Sequence, residues 1–119
     1  RLVVPGDGHP HPRWYGTFPR VLGHFVREKK TLSLEEAVYK MSLLPAQTIG
    51  IKNRGLIKKG MYADITIFDK NTIIDKATFE SPHQYSEGIY YVLVNGAVAI
   101  DNGEFKNIKA GVVLKKNAP

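Results

Sequence analysis

The run Gly6-Asp7-Gly8-His9-Pro10-His11-Pro12-Arg13 gathers a carboxylate, two imidazoles and a guanidinium in one short stretch. An H-x-H pair on an extended strand points both rings to one side, which is the arrangement a zinc site uses. Here each histidine is followed by proline, and Pro10 and Pro12 favour a polyproline-like path that does not aim the two rings at a common point. A metal site also needs three or four ligands, and the remaining histidines, His24 and His83, lie at no supporting spacing. The segment therefore reads as a loop rather than as an independent metal site.

Asp7 and Arg13 are the other chemically able groups. Asp7 stands between two glycines directly after the apolar run Leu2-Val3-Val4, so a sharp turn could leave its carboxylate open to a site. Loops at the carboxyl ends of buried parallel strands are where such folds keep their active groups. An aspartate in a turn also commonly caps its own backbone, and the residues alone leave both readings open. Arg13, followed by Trp14 and Tyr15, could hold a carboxylate through two parallel hydrogen bonds or could pack on a neighbouring ring at the surface.

The remaining composition narrows the classes. At 119 residues the chain fits one modest core and is shorter than a whole (β/α)8 barrel of about 250 residues. No apolar run approaches the roughly 20 residues that span a bilayer, and no signal peptide precedes Pro5-Gly6, so neither membrane insertion nor secretion is expected. With no cysteine there is no disulfide, thiol nucleophile or thiolate zinc site, which fits a reducing cytoplasm. The chain begins at Arg1 without Met and is read as part of something longer. A net charge of +6 invites a nucleic-acid partner, but the 17 Lys and Arg residues are spread as pairs such as Lys29-Lys30 and Lys58-Lys59, the pattern of a solvated surface. No nucleic-acid partner is expected.

The elements that must position these groups change character near Gly50. Thr17-Phe18-Pro19 offers a helix cap and an early proline, with Val21, Leu22, Phe25 and Val26 as an apolar stripe running to about Lys29. Ser33 with Glu36 forms a capping box for a second helix whose buried face would be Leu34, Ala37, Val38, Met41 and Leu44. Pro45 ends that helix or opens a last turn capped by Gly50. Beyond it, strands are expected over 55–57, 63–68, 89–94, 97–101 and 112–114, with hairpin turns at Asn95-Gly96 and Asn102-Gly103. Asp64 would fix the entry to one strand.

The order of segments is recognisable as a whole. "GDG", "HPRWYGTFPRVLGHFVRE", "LSLEEAVYKMSLLPAQTIGI", "RGLIKKGMYADITIFD" and "GIYYVLVNGAVAIDNGE" resemble the C-terminal portion of D-aminoacylases (N-acyl-D-amino-acid deacylases) of the metal-dependent amidohydrolase superfamily. The likeness runs from Val3 to about Leu114. "PR-x-YGTFPRVLG" belongs to the deacylase branch, whereas "G-x-I-x-x-G-x-x-ADI-x-x-FD" is common to many amidohydrolases. Gly6 stands where serine is common, the spacer from Asp7 to the HPR segment is short, and "KAGVVLKKNAP" departs from the usual ending.

This resemblance implies an α+β fragment: residues 1–50 as the end of a (β/α)8 barrel, with its last strand and closing helices, and residues 51–119 as the C-terminal strands of a small β-sandwich. It implies a zinc-dependent hydrolase of N-acyl-D-amino acids, with most metal ligands on strands absent from this chain and the fragment inactive alone. Asp7 matches the strand-eight aspartate that sits by the metal, takes a proton from the attacking water and passes it to the leaving amine. It is itself a candidate metal ligand. Arg13 matches the arginine that holds the substrate α-carboxylate. Exposed apolar faces and sheet edges lead us to expect a homo-oligomer of the isolated chain. The alternatives are another amidohydrolase, dihydroorotase-like or dipeptidase-like, and a stand-alone basic interaction module.

Overall fold

The structure, a computed structural model, describes residues 5–115. The strand end expected over Leu2–Val4 lies outside the described residues. The described part is α+β, with helices preceding a four-stranded antiparallel sheet. It forms two compact units, each made of two separated stretches: the described residues up to Leu34 with Asp69–Gly88, and Glu35–Phe68 with the described residues from Ile89 onward. Among the described residues no helix is long and apolar enough to cross a membrane.

The first unit is built on α1 (Arg13–Arg20), which runs directly into a π-helical stretch, Val21–Glu28. Helix entry comes at Arg13, not at the expected Thr17. The His11 ring nitrogen Nδ1 accepts the Arg13 N–H at 3.1 Å and satisfies a first-turn donor, while the Thr17 hydroxyl turns back onto the Arg13 carbonyl at 2.7 Å. Pro19 thus lies inside the helix. Its missing N–H would have served the Tyr15 carbonyl, which instead accepts from the Ser86 hydroxyl at 3.2 Å. After that lost bond the winding loosens, ending with Lys29 N–H on the His24 carbonyl.

This helix lies on the irregular stretch that follows Asp69. Leu22, Ile73 and Ala77 are its buried apolar side chains, with Ile73 only 2% exposed. Backbones come close enough at Gly23 that a Cβ there would stand 2.5 Å from the Ile73 carbonyl oxygen, so no larger residue fits without a shift. Arg27 donates to the Ile73 carbonyl at 2.7 Å and Arg20 pairs with Asp75 at 3.3 Å. The stretch turns back on itself through an antiparallel bridge between Ile74 and Glu87.

The second unit contains α2 (Leu34–Met41) from its second residue, α3 (Leu43–Ile49) and the sheet. Leu34 marks the start that the capping-box pattern predicts. Ala37 is fully buried, but Val38 and Leu44 are exposed, so the buried face is narrower than the periodicity suggested. Ser42 interrupts the winding at φ −129°, which lets Pro45 fall in the first turn of α3, where a missing N–H costs no bond. Gly50, at φ 80°, caps α3 in the left-handed region.

The sheet is a meander in the order β1 (Ile65–Phe68), β2 (Ile89–Val94), β3 (Ala97–Asp101) and β4 (Glu104–Phe105). Ile65 faces Leu93, Val94 faces Ala97 and Asp101 faces Glu104 in register. Asn95-Gly96 (φ 51°, 82°) and Asn102-Gly103 (φ 48°, 82°) both make the turns read from their sequence. Two expected strands do not form. Residues 55–57 lie in an irregular bend that Gly55 opens at φ 85°, and residues 112–114 have no strand partner among the described residues, with Val113 88% exposed. β4 was not anticipated, because two residues carry no periodicity.

Candidate active-site loop

Asp7 occupies an exposed turn between Gly6 (φ 86°) and Gly8 (φ 67°). Side chains rarely tolerate these dihedrals, so the two glycines are what permit the chain to present Asp7 there. The turn is held from a distance by His83. Its Nδ1 accepts the Gly6 N–H at 3.2 Å, and its Nε2 lies 2.8 Å from the Gly8 carbonyl. A backbone N–H can only donate and a carbonyl only accept, so the ring carries its proton on Nε2. The Tyr15 hydroxyl donates to the same Nδ1 at 2.9 Å, and the two rings meet edge to face at 5.7 Å.

The two histidines of the H-P-H segment have structural work. His9 Nε2 donates to the Phe79 carbonyl at 2.6 Å, while His11 packs edge-on against the Phe79 ring at 4.9 Å and accepts the Arg13 N–H through Nδ1. A nitrogen of each ring is thus committed. Among the described residues no group of three or more His, Cys, Asp or Glu side chains converges as a metal cage.

Arg13 opens α1 with its side chain exposed. Together with Trp14, Tyr15, Thr17, Phe18 and Pro19 it lines an open depression. Asp7 and Arg13 therefore stand on adjacent pieces of one unit, linked through His83, which touches the turn of the first and Tyr15 beside the second. His83 is the group that sequence reasoning passed over. Its partners are 75 and 77 residues away, and no local spacing marks it.

In the second unit Asp64 is structural, as its position before a strand suggested. Arg54 bridges Asp64 and the Asn95 side chain, and its guanidinium lies 4.3 Å from the centre of the Tyr62 ring. Asp64 also accepts the Asn95 N–H at 2.8 Å, and Asn95 Nδ2 donates to the Ala110 carbonyl at 2.6 Å. Burial pushes the Asp64 carboxyl up, but the Asn95 N–H and the Arg54 guanidinium outweigh it and hold the carboxyl below its ordinary value.

The family model described as "Amidohydrolase family" matches residues 5–100, most of the chain. This chain belongs to the amidohydrolase family. An N-acyl-D-glutamate deacylase of Alcaligenes xylosoxydans xylosoxydans is 44% identical over 115 residues, covering 97% of this chain and 23% of the relative. A crystal structure of a D-aminoacylase superposes with a TM-score of 0.89 at 46% identity, covering 94% of this chain and 24% of the other. The N-acyl-D-glutamate deacylase of Bordetella bronchiseptica, solved with zinc and a phosphonate mimic of the tetrahedral intermediate, superposes at 0.77 and 47% identity over 80% of this chain and 20% of that one. This amidohydrolase chain spans about a quarter of the length of the relatives it matches.

Proposed function

We propose that this chain is the C-terminal portion of a D-aminoacylase-like, zinc-dependent amidohydrolase that cleaves the amide bond of N-acyl-D-amino acids. Residues 1–50 would close a (β/α)8 barrel and residues 51–119 would supply strands of a small β-sandwich. The observation that carries the reading is the clamped Asp7 turn next to the Arg13 helix, in a chain matched over almost its whole length by D-amino-acid deacylases.

The chemistry asks two things of these residues. The Asp7 carboxylate accepts a proton from the attacking water as its oxygen bonds to the amide carbon, then delivers that proton to the nitrogen as the C–N bond breaks. A carboxylate and a free D-amino acid leave. Arg13 holds the substrate α-carboxylate by a paired contact and so sets where the scissile bond lies relative to Asp7.

The described residues do not by themselves fit a zinc site, since the loop histidines are engaged in hydrogen bonds and no metal cage converges. We place most of the zinc ligands in the remainder of the enzyme, with Asp7 as a further candidate ligand from this chain, and the metal would supply polarisation of water and carbonyl.

The test is hydrolysis of matched N-acetyl-D- and N-acetyl-L-amino acids by the zinc-loaded full-length protein that carries this chain. Release of the free D-amino acid, with the L-series far slower, is expected. Hydrolysis of a cyclic amide such as dihydroorotate, with the acyl-D-amino acids untouched, would overturn the reading.

A further inference from the structure

We propose that His83 is the positioning residue that fixes the Asp7 turn and couples it to the Arg13 helix, an inference that rests on the proposed roles of Asp7 and Arg13. The imidazole takes hold of the main chain on both sides of Asp7, receiving the Gly6 N–H and giving a proton to the Gly8 carbonyl. Glycines at positive φ leave the turn free to adopt many paths, so something outside it must choose one. A rigid ring with one donor and one acceptor on different atoms is suited to do so, because both contacts must be satisfied at once.

The same Nδ1 receives the Tyr15 hydroxyl, and Tyr15 lies on the first turn of α1 two residues after Arg13. Ser86 holds the Tyr15 carbonyl and Tyr85 packs edge-on against the Tyr15 ring at 5.5 Å, so the stretch around His83 grips this helix turn at three points. One side chain thus ties the turn that carries the proton carrier to the helix that carries the anion anchor, beside the contacts of His9 and His11 in the segment between them. Preorganisation of this kind acts on the reacting geometry, where small displacements cost large factors in rate.

In the full-length enzyme, His83→Phe keeps a flat ring beside Tyr15 and removes all three polar contacts. We expect kcat to fall about 10- to 100-fold, with KM changed much less. The His83→Asn side chain offers an acceptor near the Nδ1 position, and that of His83→Gln a donor near Nε2. Each should recover part of the lost kcat. Imidazole 15N shifts of the native protein above neutral pH should report the Nε2–H tautomer.

A folded His83→Phe enzyme with native kcat, while Asp7→Asn is inactive in the same assay, overturns the positioning role and leaves the Asp7 reading intact. An active Asp7→Asn enzyme removes the Asp7 reading itself, and this inference with it. Should His83→Phe fail to fold, native kcat in both His83→Asn and His83→Gln overturns the positioning role, as does an Nδ1–H tautomer in the native protein.

Discussion

His83 encloses Asp7 without needing its carboxylate: the ring accepts from the amide of the preceding residue at 3.2 Å and donates to the carbonyl of the following one at 2.8 Å. Both contacts are to the main chain on either side of Asp7. Both ring nitrogens are used in holding the turn.

Replacing Arg13 should separate binding from turnover. A charge-assisted paired contact contributes about 1.5–3 kcal/mol, and losing it should raise KM roughly 10- to 100-fold in Arg13→Ala, with a smaller change in kcat. Arg13→Lys, which keeps the charge but not the fork, should fall between. Steady-state kinetics with a substrate whose α-carboxylate is amidated make the check, since that substrate should be indifferent to both replacements.

The strut formed by Arg54, Asp64 and Asn95 should govern acid stability of the second unit. The folded Asp64 carboxyl lies below its ordinary value of 3.8, so between the two values the unfolded chain binds more protons. The contribution is present above pH 3.8 and is lost as pH falls through the folded value. Asp64→Asn should lower stability near neutrality by about 1–3 kcal/mol and flatten this acid limb, read from denaturant midpoints across pH.

Association is expected of the isolated 119-residue chain. Trp14 and Phe18 on α1, and Ile57, Tyr62 and Val113 elsewhere, are more than half exposed, and among the described residues β1 and β4 are each paired on one side only. Light scattering at high concentration should return a mass above 13.3 kDa, and a monodisperse monomer would count against exposed faces that need covering.

How much of this was legible beforehand follows the range of each interaction. The Asn-Gly turns and the Gly50 cap were readable because a single dihedral requirement selects those residues. The start of α1 lies earlier than Thr17-Phe18-Pro19 signals, because the N-cap is Pro12, which has no side-chain acceptor to mark it, and the Arg13 N–H is taken by the His11 ring. The Tyr15 carbonyl that Pro19 leaves unserved accepts from Ser86, a compensation 71 residues away in sequence. Residues 112–114 have apolar side chains but no ladder partner among the described residues, so β-propensity alone did not make a strand. Asp7 and Arg13 could be chosen from residue type and family pattern, whereas His83 becomes visible only when the chain is folded.

The most direct test of the account is Asp7→Asn in the zinc-loaded full-length enzyme, acting on an N-acyl-D-amino acid. The amide keeps the shape of the side chain and removes its capacity to carry the proton. The account predicts a kcat lower by roughly 10²- to 10⁴-fold with KM and the circular-dichroism spectrum little changed. A variant that turns over at close to the native rate would contradict it.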